Sequence, residues 1–284
     1  MTAVALVERR RFPAMGSTAE VIAVGGGHGT AIDAAVARIG ELEGRWSRFI
    51  ESSEVSALNR GAGSAVPVSD DTLLLVELAA EAWRRTDGRF DPTVLAAVEA
   101  TGYVGSFEQL GSTTSRSARA ERNVGACEAI DIDRREETVR LPPGGGFDPG
   151  GIGKGLAADL VSHELAAAGV GGGCVNLGGD LRVWGVGPRG AGWRIGVGDH
   201  AVELTDVGVA TSGTQRRTWV IDGETVHHVI DPATHRSSTS GAETVTVVAG
   251  SAWRAETCAT ALLATPLDEV ASTAERWGVR SFVS

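Results

Sequence analysis

The chain of 284 residues has few of the features that would place it in a disulfide-bonded, nucleic-acid-binding or membrane-spanning class. Its three cysteines, Cys127, Cys174 and Cys258, are odd in number and lack close pairs, so neither a disulfide framework nor a CxxC metal site is indicated and reduced, buried thiols are expected. No stretch approaches the roughly 20 apolar residues of a membrane span. The N-terminus, MTAVALVERRRFPAMGS, has a short apolar run followed by Arg9, Arg10 and Arg11, the reverse of the order in a secretory signal; a cytoplasmic protein is the expectation. Lys and Arg number 26 against 36 Asp and Glu, a net charge of -10, and no basic stripe is available to neutralise a nucleic-acid backbone. A local basic site for a small anion stays open. There is no internal repeat.

With 42% apolar and 22% charged residues, the chain has enough apolar material for a substantial core. Its 39 glycines cluster between periodic segments and mark tight turns. Residues 19–24 read as a strand, and residues 31–49 set Ile32, Val36, Ile39, Leu42, Trp46 and Phe49 at helical spacing. Ser69-Asp70-Asp71 opens a second helix that stops near Asp87-Gly88, and a third runs from about Gly153 to Ala168. Short strand-like runs follow at 173–177, 181–186, 193–197, 207–211, 218–221 and 244–249. A helix over 252–264, a further helical stretch after Pro266 and a strand near 279–283 complete the chain. Strands and helices intermix with hairpin-like connections, which predicts an α+β fold, a mixed sheet packed by helices, in one domain over 1–284. Residues 105–125 read as an exposed loop or insertion.

Polar clusters fall between these elements. GFDPGGIGKGLAAD (146–159) looks like a phosphate loop, yet the Walker pattern needs Gly at position 148 and Ser or Thr at 155, where Asp148 and Gly155 stand. What remains is a glycine turn opening a helix, with Lys154 in its first turn, suited to a phosphate or diphosphate; a turn with a solvated lysine has the same pattern. Glu256 and Thr260, four apart on a helix, put a carboxylate and a hydroxyl on one face, where they suit a hard cation or an ordinary helix surface equally. His228, three residues before Asp231-Pro232, has the chemistry of a general base, and a lone histidine in this pattern suits a structural role as well.

Taken in order, the clusters resemble the ApbE family of FAD:protein FMN transferases. The resemblance runs from about Met15 to Ala264. It rests on Met15-Gly16-Ser17, RWSRFIESSEVSALN around Ser47 to Asn59, GRFDPT at 88–93, DPGGIGKGLAAD at 148–159, NLGGD at 176–180, TSG at 211–213, HVIDPATH at 228–235 and AETCATA at 255–261. It implies an ApbE-type, T-fold-like α+β domain and a Mg²⁺-dependent enzyme that moves FMN from FAD onto a Thr or Ser hydroxyl of an acceptor protein, releasing AMP. By the same resemblance Lys154 and the glycine turn hold the diphosphate, and Glu256, Thr260 and a backbone carbonyl near Gly151 hold the ion. His228 is then the base, and Met15, Phe49, Arg89, Phe90, Asp91, Asp148 and the Val229-Ile230 backbone line the FAD pocket.

Two positions depart from the family pattern. Glu256 stands where aspartate is usual, which moves the carboxylate outward by roughly one bond length at an ion with strict geometry. His235 stands where the family has glycine, so the turn after Asp231-Pro232 loses a residue that takes positive φ at no cost. An FAD pyrophosphatase yielding FMN and AMP, and a non-catalytic FAD-binding protein, are the alternative readings.

Overall fold

The computed structural model describes residues 5–105, 113–114, 125–198, 200–215, 218–221 and 223–284. The loop expected at 105–125 lies almost wholly outside the described residues. Seven strands form the principal sheet: β1 (Val7–Ala14), β2 (Ser17–Val24), β3 (Gly172–Leu177), β4 (Asp180–Gly185), β5 (Val207–Gly213), β6 (Thr244–Ala249) and β7 (Arg280–Val283). They lie side by side in chain order, and every pairing is antiparallel. The α+β class with a helix-packed sheet is what forms; strand direction refines the expected mixed sheet. Two-residue turns at Met15-Gly16 and Gly178-Gly179 can join only antiparallel neighbours.

β1 has no apolar alternation, and the sequence reading passed over it. VERRRFPA is an edge strand, where exposed arginines and Pro13 are tolerated because one side of the strand needs no partner. Along β4 the side chains alternate by the period of two: Trp184 joins the helix-covered core, while Leu181 and Val183 join the core on the other face. That second face is covered by the ribbon Trp193–Val197 and His200–Leu204.

Seven α-helices occur among the described residues: α1 (Gly29–Trp46), α2 (Glu54–Arg60), α3 (Asp70–Arg85), α4 (Leu95–Ala100), α5 (Gly153–Ala167), α6 (Ala252–Leu263) and α7 (Val270–Arg276). α1 buries Ile32, Ala35, Ile39, Leu42 and Trp46 as its spacing predicts, but it ends at Trp46, where Ser47 turns to extended backbone. Phe49 therefore leaves the helix face assigned to it and is 41% exposed. The Ser47 carbonyl accepts a hydrogen bond from the Ser53 hydroxyl, whose oxygen also accepts from the Ser56 N–H at the start of α2. That pair of bonds shapes the loop carrying residues 48–52.

α5 and α6 pack closely enough that side chains at the crossing must be small. A Cβ on Gly155 would lie 2.4 Å from the Ala252 carbonyl oxygen, and one on Gly208 of β5 would lie 2.2 Å from the Ala252 nitrogen. Four residues along α5, the buried Asp159 carboxylate accepts the Ala252 and Trp253 N–H groups, both at 2.9 Å, and so caps α6 from a neighbouring helix. Burial pushes its pKa up against the pull of those two bonds. The glycine-rich motif is thus in part a helix-docking device.

A methyl group at position 155 has nowhere to go. Gly155→Ala should lower stability by about 2 kcal/mol or more, seen as a lower urea midpoint with an unchanged slope. A second test concerns Asp71 of α3, which takes both arms of Arg38 from α1 at 2.6 and 2.8 Å. Those bonds hold its pKa below the ordinary carboxylate value, so their contribution is present above about pH 3.9 and is lost as the pH falls through the lower folded value. Asp71→Asn should lower the midpoint near neutrality and flatten the acid limb of a stability-against-pH curve.

Candidate functional site

The second half of the GFDPGGIGKGLAAD motif faces inward. The N–H groups of Ile152 and Gly153 both go to the Pro149 carbonyl, that of Gly150 to Asp148 Oδ1, and that of Gly155 to Glu256 Oε2 at 2.7 Å. An open cradle of backbone amides, as an anion loop would need, is therefore not what these glycines build. Lys154, the only lysine in the chain, is directed to two buried carboxylates. Its ammonium donates to Glu256 Oε1 at 2.9 Å and, more closely, to Asp180 Oδ2. Asp180 reaches it because the Gly178-Gly179 turn of β3 and β4, held by the Asn176 side chain, sets Asp180 at the start of β4. The sequence showed NLGGD as a turn but not as the partner of Lys154.

Beside this ion pair stands a group of oxygens. Thr260 Oγ1 is 3.1 Å from Ser212 Oγ of β5. A Cβ on Gly151 would lie 3.2 Å from Thr260 Oγ1 and 3.0 Å from the buried Phe90 ring. The backbone at 151 thus passes close to Thr260, leaving little room for a Cβ. Gly151 and Lys154 are brought together with Glu256 and Thr260 from about a hundred residues later in the sequence, and Ser212 joins them from the TSG segment.

The second group is aromatic. Phe49 meets Tyr103 edge-on at 5.6 Å between centroids, and Tyr103 in turn lies 5.6 Å from Trp219 and 6.5 Å from the His228 ring. The Arg48 guanidinium lies 4.2 Å from the Phe49 centroid and 4.7 Å from that of Tyr103, donates to the Tyr103 carbonyl at 2.9 Å, and sits 3.6 Å from Asp148 Oδ2. Phe49, Asp148 and His228 are therefore linked through Arg48 and Tyr103. Neither was among the expected site residues, though Arg48 adjoins Phe49 and Tyr103 is the only tyrosine in the sequence.

The 87–93 turn joins the two groups, since the Asp148 N–H donates to the Pro92 carbonyl at 2.8 Å. Asp91 is buried and accepts from the Thr93 N–H and hydroxyl; burial raises its pKa, and those two bonds, with a smaller pull from the nearby His235, offset this in part. His235 itself has φ 55°, in the left-handed region, with its N–H donating to the Asp231 carbonyl at 2.8 Å. The turn keeps the conformation that a glycine would favour, at a cost of about 1 kcal/mol.

The remaining expected residues are placed differently. Met15 occupies the turn between β1 and β2 with φ 51°, next to Gly16 at φ 64°, the two positive values of a type I′ hairpin. Its hairpin touches the site through Ser17, against which Gly178 packs. Arg89 pairs with Glu269 at 3.1 Å. The Val229 carbonyl accepts the Ser238 N–H and Ile230 pairs with Ser237, so the backbone expected to line the flavin pocket is engaged in a ribbon of its own. Both side chains are buried.

Lys154→Met should leave Asp180 and Glu256 buried without their shared cation. Removing one partner from such a group costs about 3 kcal/mol, a loss that thermal or urea unfolding would register, and Lys154→Met combined with Asp180→Asn should recover part of it.

The ApbE family profile matches residues 15–282. Among curated relatives, the FAD:protein FMN transferase of Vibrio cholerae is 29% identical over 78% of this chain and 70% of its own length. That of Salmonella typhimurium is 28% identical over 76% and 65%. The ApbE protein of Thermotoga maritima superposes with a TM-score of 0.86 at 26% identity, covering 98% of this chain and 94% of the other. The Pseudomonas stutzeri flavinyl transferase ApbE superposes with a TM-score of 0.85 at 28% identity, covering 98% and 91%. Among the described residues no helix is long and apolar enough to cross a membrane. With its profile matched over nearly the whole length and the fold shared from end to end, the chain belongs to the ApbE family of flavin transferases.

Proposed function

We propose that the chain transfers the FMN half of FAD to a Thr or Ser hydroxyl of an acceptor protein and releases AMP. The observation that carries this reading is the convergence of an aromatic bed ending at His228 with a group of hard oxygens around Thr260, joined through Asp148 and the 148–154 turn. The curated relatives bear the name of this activity.

The donor set suits Mg²⁺. Glu256 retains lone pairs beyond those used by Lys154 and Gly155, and Thr260 and the Gly151 backbone add neutral oxygens where a Cβ would be tightly accommodated. These three residues hold the ion, which when bound supplies neutralisation of the diphosphate charge.

Phe49 offers its exposed ring to the flavin, with Arg48 and Tyr103 packed against it; the Phe90 ring stands beside Gly151, and Met15 contributes only through the turn that presents Ser17. Asp148 is held ready by Arg48; the buried Asp91, Val229 and Ile230, each bonded within its own turn or ribbon, support the pocket from behind and leave ligand contact to other groups. Arg89 contributes by exchanging Glu269 for the ligand. His228 takes the proton of the acceptor hydroxyl; that oxygen bonds to the FMN-side phosphorus as the bond to the AMP phosphate oxygen breaks, and AMP leaves with the electron pair.

The test is incubation with FAD, Mg²⁺ and a domain bearing a modifiable threonine, read by intact mass and AMP release. An acceptor gain equal to FMN, matched by AMP, is expected. AMP without acceptor gain would mean hydrolysis, and unchanged FAD would mean binding alone. His228→Ala should lower transfer about 10²- to 10⁴-fold with FAD affinity nearly unchanged, whereas Thr260→Val should raise the Mg²⁺ concentration needed for half-maximal rate.

A further inference from the structure

The site already contains a cation. Lys154 Nζ donates to Glu256 Oε1 and Asp180 Oδ2, and the two carboxylate side chains are only 3% and 5% exposed. The other Glu256 oxygen accepts the Gly155 N–H, so the carboxylate that holds the ion in the reading above is engaged at both oxygens. Asp180, Glu256 and Lys154 together carry one net negative charge, compressed into a region with little water.

We propose that Lys154 is a resident counter-cation that competes with the divalent ion for Glu256, with Asp180 as the positioning residue that keeps the ammonium in place. The inference rests on the assignment of Glu256, Gly151 and Thr260 to the ion. Two features of the site support it. First, the ammonium occupies Glu256 Oε1, so an ion approaching that oxygen displaces it or shares with it. Second, like charges a few ångström apart, at the effective dielectric of a partly buried site, repel by more than the energy of a tenfold change in affinity. Lys154 therefore sets the strength of ion binding from outside the donor set. It stabilises the two carboxylates when no ion is bound and lowers the affinity for the ion that replaces it.

The consequence runs against the usual effect of altering a charged site residue: removal of Lys154 strengthens ion binding. Mn²⁺, whose free form gives a spin-resonance signal, and Mg²⁺, followed by calorimetry, are titrated into the full chain without FAD. Lys154→Met should bind both ions about tenfold tighter or more. Asp180→Asn should bind them severalfold more weakly, because its lysine is left with Glu256 as sole carboxylate partner, although Asp180 is not one of the proposed donors. Added Mg²⁺ should also raise the melting temperature of Lys154→Met more than that of the unaltered chain.

Equal or weaker ion binding by a folded Lys154→Met protein overturns the proposal. Should that variant fail to fold, Lys154→Met with Asp180→Asn keeps the unaltered net charge and removes the competitor; tighter binding than the unaltered chain is expected, and equal or weaker binding overturns the proposal. Failure of the unaltered chain and every variant to bind either ion, with FAD present or absent, would overturn the ion assignment itself and the competition with it.

Discussion

The docking of α5 on α6 is the constraint on which the site depends. α6 carries Glu256 and Thr260, and its position is set by contacts with two elements. Gly155 and Gly208 let Ala252 approach at distances that no side chain would permit, and Asp159 holds the first N–H groups of α6 with both carboxylate oxygens. Four residues further along, Glu256 returns the contact by accepting the Gly155 N–H. The helix that offers the carboxylate and hydroxyl is fixed by the motif that precedes it in sequence by about a hundred residues, so the two arrive in register only when the sheet between them has formed.

The same economy of parts explains why charge here is buried without being wasted. A carboxylate in an apolar interior is costly unless it is paired or hydrogen-bonded. Asp159 is satisfied by a helix terminus, Asp180 and Glu256 by the one lysine, Asp91 by Thr93. All four lie in polar clusters that the sequence marks for chemistry, and part of what marks them is structural. Asp148 differs. Its partners are Arg48 and the Gly150 N–H, on a part of the turn that joins the aromatic bed to the oxygen group.

The two departures from the family pattern have different physical weight. His235 occupies left-handed backbone in a turn held by Asp231, whose carboxylate accepts from the Ala233 N–H and the Thr234 hydroxyl, so the modest strain of a non-glycine residue is carried by local bonds. The ring gained in exchange lies near Asp91 and opposes the effect of burial on that carboxyl group. Glu256 is the more consequential. Its length lets it span Lys154 and the α5 backbone together, which ties ion binding to the docking of two helices.

Periodicity alone determined much of the frame: α1, α3, α5 and α6, and the principal-sheet strands from Gly172 onward, fall where apolar spacing and turn residues put them, because burial of one face enforces a period of 3.6 or 2, whereas the short ribbon strands His200–Leu204 and Glu224–His227 were not expected. It did not reveal β1, whose edge position releases it from alternation, or the end of α1 at Trp46, which is set by Ser53 bonding back to Ser47 across a loop. The site was legible as an ordered set of motifs. Which of their polar atoms face a ligand and which face the protein was decided only in three dimensions. Lys154 reads as a free cation in sequence because Asp180 and Glu256 are 26 and 102 residues away, and Arg48 and Tyr103 read as ordinary because their stacking exists only once the loop after α1 meets the loop after α4. Sequence carries local propensity and residue chemistry; pairings between distant charges and rings depend on distances that only the folded sheet and its helices impose.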